Sequence, residues 1–277
     1  MSGWIKAQIK GLPVYQAKTM SWLPGIQQGF TTRCGGISSA PFDSLNLGDH
    51  VGDDPCCVSA NRDTLFSCIC ADRERVAFAK QVHGSQVGVV TSRNVDTVPE
   101  VDALVTNESN ITLAMCFADC VPIYLVDPVR RVIGLVHSGW RGCSDDVVGK
   151  AVACMTENFQ TDPRQCVAAV GPCIGVGHYE VRLDVADRFR NYPAGKYLGA
   201  STAVIPKSEM QGTYSLNLRQ IVFTQLMASG LRADSIAVSH HDTYSDKRDF
   251  YSYRRDGVTS GRMAAYISMA EPRISLR

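Results

Sequence analysis

The 277-residue chain lacks several features that would each have pointed to a different kind of protein. Its net charge is only +1, which gives no electrostatic reason to expect nucleic acid or an anionic membrane as partner. It has no long uninterrupted apolar run. The most apolar stretch, "ITLAMCFADCVPIYLV", is broken by Asp119 and is too short to cross a bilayer. The opening segment, "MSGWIKAQIKGLPVYQAKTMSWLPGIQQGF", has no continuous apolar core of the signal-peptide kind. These absences predict a soluble, cytosolic protein. There is no internal repeat, low-complexity tract or linker, and no credible boundary, so one continuous domain over 1–277 is expected. The glycine-rich "GPCIGVGHYEV" has the wrong spacing for a dinucleotide fingerprint, which argues against a Rossmann site.

The chain does have length and apolar content. Hydrophobic residues make up 45% of it, enough for a large core, since a chain this long can remove roughly three quarters of its unfolded surface from water. There are eleven cysteines, an odd number. In a cytosolic chain of this size they read as buried thiols, metal ligands or a nucleophile, not as a disulfide framework. Cys68, Cys143, Cys154, Cys166 and the pair Cys56–Cys57 read as small buried hydrophobes.

Strand and helix patterns alternate throughout. "RVAFAKQVHG" reads as a strand ending at His83, followed closely by the short strand "GVV". "ITLAMCFADC" reads as a buried strand ending near Cys120. "PIYLVDPVRRVIGLVH" reads as a hairpin turning at Asp127 and Pro128 and ending at His137. "SDDVVGKAVACMTENF" is a helix with Ser144 as its N-cap. "CVAAVGP" and "SIAVSH" are strands. "LDVADRFRNY" and "SLNLRQIVFTQLMASG" are helices, the second closed by Gly230. A mixed sheet packed by helices is predicted.

Three soft or borderline ligands thus fall at the ends of apolar runs: His83, Cys120 and His137. Strand ends present side chains to a cleft while the backbone stays fixed. Two imidazoles and a thiolate suit zinc, and three protein ligands leave a fourth position for water or substrate. A Cys–His nucleophile pair would use the same residues. Taken singly, each is ordinary: a histidine facing water, a cysteine in the core. Asp119 is a strand-end charge or a group that orients a histidine ligand. In "FTTRCGGIS", Arg33 lies beside two glycines, where a guanidinium could hold a phosphate or carboxylate. "FYSYRRDG" places Arg254 and Arg255 among aromatics, to clamp an anion or simply to lie over neighbouring rings. Arg141, after "HSGW", is either an anion contact at a cleft mouth or a surface charge at a helix entry. Adjacent residues on an extended strand point in alternate directions, so His240, His241 and Asp242 read as a loop with at most one useful imidazole.

Taken together and in order, "QVHG", "ADCVPI", "GLVHSGWRG", "GPCIG…YEV" and "FYSYRRDGVTSGR" resemble the YfiH-like family. Its members are also called laccase-type multicopper polyphenol oxidoreductases, peptidoglycan editing factors and purine nucleoside phosphorylases. The likeness runs from "FTTRCGGIS" to "GRMAAYI". It implies an α+β fold, a four-layer sandwich of mixed β-sheets and helices similar to the catalytic domain of cytotoxic necrotizing factor. It implies a His–Cys–His zinc site at His83, Cys120 and His137, with copper as the other candidate metal. The implied activity is phosphorolysis of adenosine, inosine and methylthioadenosine, accompanied by adenosine deamination. The alternatives are copper-dependent oxidation of phenols and a cysteine hydrolase acting on peptidoglycan precursors. The implied partners are a purine nucleoside and phosphate, with neither nucleic acid nor membrane. Arg33, Arg141 and Arg255 are the expected substrate contacts. The chain departs from the family in two places: many members carry cysteines where it has Gly177 and His178, and where it has Asp242 before Thr243. Loss of those soft ligands weakens a multicopper reading and leaves the single-zinc reading intact.

Overall fold

Strand pairing sorts the chain into two six-stranded sheets and a smaller third, in a computed structural model that describes residues 3–190, 203–207 and 212–271. The first sheet runs, in spatial order, Trp4–Ile9 (β1), Leu12–Ala17 (β2), Ile26–Thr31 (β3), Met263–Met269 (β15), Thr112–Phe117 (β7) and Val76–Phe78 (β4). The second runs Ile236–Val238 (β14), Val167–Val170 (β10), Val121–Asp127 (β8), Val132–Ser138 (β9), Ala103–Thr106 (β6) and Val87–Val89 (β5). A three-stranded sheet joins Glu180–Arg182 (β11), Thr213–Leu216 (β13) and Val204–Pro206 (β12). Both large sheets are mixed. Pairing is parallel between β4 and β7, β5 and β6, and β10 and β14.

The expected hairpin is the centre of the second sheet, with β8 and β9 in register from Val121–Ser138 to Asp127–Val132. Every residue of both strands is buried, because each strand faces a core on both sides. Successive side chains on a strand point to opposite faces. Ile123, Leu125 and Val136 meet the helices Val147–Phe159 (α3) and Leu218–Ala228 (α5), whereas Tyr124, Val126, Ile133 and Leu135 meet the first sheet. The outer face of the first sheet offers Leu12, Val14, Ala264 and Tyr266 to Leu65 and Phe66 of the helix Pro55–Cys68 (α1). Helix, sheet, sheet, helices is thus the layer order, an α+β arrangement compatible with the expected four-layer sandwich. Among the described residues the remaining α-helices are Trp140–Ser144 (α2), Leu183–Arg190 (α4) and Tyr253–Asp256 (α6).

Local signals place most helix ends. Pro55 opens α1 behind Asp54, whose side chain accepts from the Cys56 N–H. The N-cap of α3 differs from expectation. Ser144 closes the short α2, and Asp146 caps α3, its carboxylate accepting from the Gly149 N–H at 3.1 Å. The chain turns twice after β9, so the helix start is delayed past Ser144. At the far end of "LDVADRFRNY", Asn191 and Tyr192 lie outside the described residues. Gly230 follows α5 with φ +98°, the left-handed position that favours glycine. Among the described residues no helix is long and apolar enough to cross a membrane. All eleven cysteines are free. Cys143 and Cys166 are buried as expected, Cys57, Cys68 and Cys154 are partly buried, and Cys56 is exposed at the start of α1.

Candidate metal centre

Two side-by-side strands and two tight loops bring the expected ligands together. His83, Cys120 and His137 each offer a donor atom, and these atoms lie within 4.8 Å of one another. His137 is the sixth residue of β9, paired with Pro122 of β8. Cys120 lies two residues before Pro122, in the short turn that carries the chain from β7 of the first sheet to β8 of the second. That pairing delivers the sulfur to the imidazole.

His83 arrives differently from expectation. Its strand stops at Phe78, and after an isolated bridge from Lys80 to Glu100 the chain becomes a loop. The loop wraps a carboxylate: the N–H groups of Val82, His83 and Gly84 donate to Asp102 at 3.3, 3.0 and 2.6 Å. His83 takes a left-handed φ of +57° to do so. Asp102 immediately precedes β6, the neighbour of β9, and its backbone carbonyl accepts the His137 N–H at 2.8 Å. Its carboxylate also bonds His137 Nδ1 at 2.8 Å, which turns Nε2 toward the cysteine. Asp102 therefore orients both histidines, one through its ring and one through its backbone. Nothing in the reading of the sequence singled it out; the only available signal was an acidic residue opening the buried run "ALVT".

Asp119 does not orient a histidine. Its carboxylate accepts from Thr243 Oγ1, Ser252 Oγ and the Arg254 N–H at 2.7, 3.0 and 2.6 Å, so it ties the loop after β14 and the start of α6 to the cysteine turn. Gly139 keeps the centre open. A Cβ there would come within 3.0 Å of Cys120 Sγ and 3.5 Å of the His83 ring.

Without an ion, the electrostatics favour a thiolate at Cys120 paired with an imidazolium at His137, and a metal would displace the shared proton. Burial alone would push the Cys120 thiol up, but the charge and hydrogen bond of His137, then those of His83, outweigh it and bring the thiol down to about 6. Burial disfavours charge on His137; Cys120 and Asp102 outweigh it and raise the imidazole to about 9. Burial also works against the Asp102 anion, yet His137 and the surrounding N–H groups hold its carboxyl below the ordinary range. A thiolate, two convergent imidazoles, an orienting carboxylate and a glycine that leaves space together fit a single borderline-soft ion.

The three ligands line a cleft of about 970 Å³. Arg141 lines it too, its guanidinium lying 4.4 Å over the Trp140 ring. Arg33 and Arg255 are not among the lining residues. Arg33 is held by the Asp43 carbonyl at 2.9 Å and the Asp43 carboxylate at 3.2 Å, and lies over Tyr251. Arg255 donates to the carbonyls of Thr243, Tyr244 and Phe250 and to the Asp256 carboxylate, which saturates its guanidinium. Cationic residues overlooked in the sequence line the cleft instead: Arg62, on a helix face that reads as ordinary solvated polarity, and Arg262, at the end of "VTSGR". Of the "HHD" triplet, His241 packs on Tyr15 and faces Asp246, while Asp242 accepts from the Gly175 and Tyr244 N–H groups and pairs with His178 Nδ1 at 2.7 Å. The two places where the chain departs from the family pattern are therefore partners in space.

Comparison with known proteins adds a consistent picture. A family model described as multi-copper polyphenol oxidoreductase laccase matches residues 27–270. The chain is 36% identical over 251 residues to the purine nucleoside phosphorylase YlmD of Bacillus subtilis (strain 168), covering 88% of each protein. It is 36% identical over 273 residues to the protein of the same name from Geobacillus stearothermophilus, covering 93% of this chain and 98% of that relative. Among solved structures, the Bacillus licheniformis hypothetical protein YfiH matches with a TM-score of 0.87 at 32% identity, over 95% of this chain and 98% of that one. The structure of YlmD from Geobacillus stearothermophilus matches with a TM-score of 0.87 at 34% identity, over 98% of this chain and all of that one.

Proposed function

The chain belongs to the YfiH-like family, that of the multi-copper polyphenol oxidoreductase laccase model, and from that premise we propose that it is a purine nucleoside phosphorylase with an accompanying zinc-dependent adenosine deaminase activity. The observation that carries this reading is a three-donor centre opening into a cleft whose lining includes Arg62, Arg141, Arg254 and Arg262. The names of the curated relatives support it. The substrates are adenosine, inosine and methylthioadenosine. We take 1–277 as a single domain of that family, acting in the cytosol on small molecules and not on nucleic acid.

In phosphorolysis a phosphate oxygen bonds to the anomeric carbon as the bond to the purine nitrogen breaks. The electron pair leaves with the base, which takes up a proton, and the products are the pentose 1-phosphate and free purine. The transition state resembles an oxocarbenium ion between two anions. The protein's task is to hold phosphate in place and to stabilise charge growing on the purine. His83, Cys120 and His137 would hold a zinc ion, which when bound would supply Lewis acidity toward the purine or a water molecule. Asp102 holds the Nδ1 proton of His137, fixing the tautomer that offers Nε2. Trp140 and Tyr179 give the cleft aromatic walls on which a purine can stack. Arg141 stands at the same wall as a substrate contact. Among the described residues the His–Cys–His set is the one group of its kind, which favours one ion over several.

The deciding test incubates pure protein with adenosine, with and without phosphate, and identifies the products. Adenine that requires phosphate, with some inosine, is the expected result; inosine alone leaves only the deaminase, and no product sinks both. One observation favours a second reading. With its thiol brought down to about 6, Cys120 beside His137 is also a nucleophile in the making. A cysteine hydrolase would label at Cys120 with an electrophilic substrate analogue in the presence of zinc, whereas a metal-held thiolate resists labelling.

A further inference from the structure

Four arginines line the cleft, and they are not equally committed. Arg254 donates to the Glu180 carbonyl at 2.9 Å and lies over Tyr179, and Arg141 lies over Trp140. Arg62 and Arg262 form a separate pair at the end of the cleft where α1 meets the entry to β15. Arg62 is fixed by its Nε, which donates to the Leu47 carbonyl at 3.0 Å, by Asp49 at 3.2 Å from Nη2, and by the Phe78 ring 4.2 Å beneath it. Arg262 is held by one nitrogen, Nη1, which donates to the carbonyls of Ser260 and Gly261 at 2.7 and 3.1 Å, and its guanidinium lies 5.7 Å over the Tyr253 ring. Its stem fills the space a Cβ on Gly48 would take, 2.6 Å from Cγ. Among the described residues, Nε and Nη2 of Arg262 meet no acceptor.

The charges at this end do not balance. Both guanidiniums act on the buried Cys116 sulfur, and Arg262 acts on Cys120 as well. Of the carboxylates lining this cleft, Asp119 acts on Arg262 but is taken up by Thr243, Ser252 and the Arg254 N–H, and Asp49 is shared between Arg62 and His50 and is 63% exposed, where water screens it. Burial works against the charge of Arg262, so an unpaired fork here is costly unless an anion meets it. Arg33, by contrast, is turned to Asp43 and lies outside the cleft.

We infer that Arg62 and Arg262 form the oxyanion subsite of the cleft, in which the free Nε and Nη2 of Arg262 grip two oxygens of a tetrahedral oxyanion and Arg62 supplies the second cation. Inorganic phosphate is that oxyanion if the phosphorylase reading holds, and both arginines line the same cleft as His83, Cys120 and His137. A planar fork suits two phosphate oxygens in a way that an ammonium does not.

The test measures binding and turnover separately on the zinc-loaded protein. Inorganic phosphate is titrated calorimetrically, without nucleoside, into the parent protein and into Arg62→Met, Arg262→Met, Arg262→Lys and Arg33→Met. Unfolding midpoints are recorded alongside, and Arg262→Lys keeps the stem and charge should Arg262→Met fold poorly. Phosphate affinity is expected to fall about tenfold or more in each Arg62 and Arg262 variant, as loss of a charge-assisted contact implies, and to stay at the parent value in Arg33→Met. In turnover, the KM for phosphate should rise by a similar factor while the KM for nucleoside holds. Parent-like phosphate affinity in folded Arg62→Met and Arg262→Met, or loss of it in Arg33→Met alone, overturns the subsite. If the parent binds phosphate through these arginines yet cleaves no nucleoside, the subsite stands and the phosphorylase reading falls.

Discussion

Two histidine–aspartate pairs in this molecule have nearly the same contact and opposite settings. His137 Nδ1 meets Asp102 at 2.8 Å, and His178 Nδ1 meets Asp242 at 2.7 Å. The first pair is sealed, with 3% and 0% of the two side chains exposed; the second is open, with 40% and 18%. Asp102 also gathers three backbone N–H groups of the His83 loop, and the far nitrogen of His137 looks at a cysteine and a second imidazole. Asp242 gathers two N–H groups and a serine hydroxyl, and the His178 ring lies stacked on Tyr244. The distance between a histidine and its aspartate is therefore a poor guide to what they do. Burial decides how much the pair matters to folding, and what the second ring nitrogen faces decides whether it can do chemistry.

The sharpest way to break that contrast is to remove each carboxylate. Asp102→Ala leaves a buried imidazole and three N–H groups without their acceptor, and should cost about 3–5 kcal/mol of unfolding free energy. Zinc affinity in the same variant should drop about 10–100-fold. Urea denaturation and a zinc titration read both. If Asp242→Ala proves as damaging, the contrast is wrong. Next in size is the chemistry itself. Cys120→Ala, or chelation of the parent protein, should abolish turnover and metal uptake while circular dichroism keeps the folded signal and a cooperative melt, since the core does not depend on the ion. Unfolding on chelation would recast the centre as structural.

A smaller effect concerns acid. Burial raises the Asp242 carboxyl, but the N–H groups and His178 outweigh it and hold it below the usual range. The unfolded chain, with an aspartate value of about 3.9, then binds more protons than the folded one, so this contribution is complete above about pH 4 and fades on further acidification. Asp242→Asn should flatten that acid limb in a series of melts while leaving stability at pH 10 changed by no more than it is at pH 7. The smallest effect expected is from His178→Ala: about 1 kcal/mol or less in stability, as for exposed pairs, and unchanged turnover. A loss of turnover there would bring the second pair into the reaction.

Much of this arrangement was legible in the sequence where the signal was local. The β8–β9 hairpin announces itself through two apolar runs around Asp127 and Pro128, and it fixes where His137 and Cys120 must lie. Asp102 was invisible because its partnership with His137 spans 35 positions and exists only through the pairing of β6 with β9. The strand expected to carry His83 was overextended for a related reason: the residues after Phe78 keep an apolar rhythm, but the N–H groups of Val82, His83 and Gly84 go to a carboxylate and not to a neighbouring strand. The arginines show a further limit. Arg33 and Arg255 stand in suggestive company, beside glycines and among aromatics, whereas Arg62 sits on an unremarkable helix face. Whether a guanidinium is saturated or has donors to spare depends on carbonyls contributed by distant loops.

The turn that holds Cys120 is also the crossing from one large sheet to the other, and His137 belongs wholly to the second. The ligand set therefore straddles a seam, with Tyr124 reaching over it to the Gly29 carbonyl at 2.8 Å. Any slippage of one sheet against its neighbour would stretch the triangle of donors, so metal affinity becomes a gauge of how tightly the two halves are seated. Trimming Tyr124 to Phe, far from any donor atom, ought to loosen the grip on the ion before it loosens anything else.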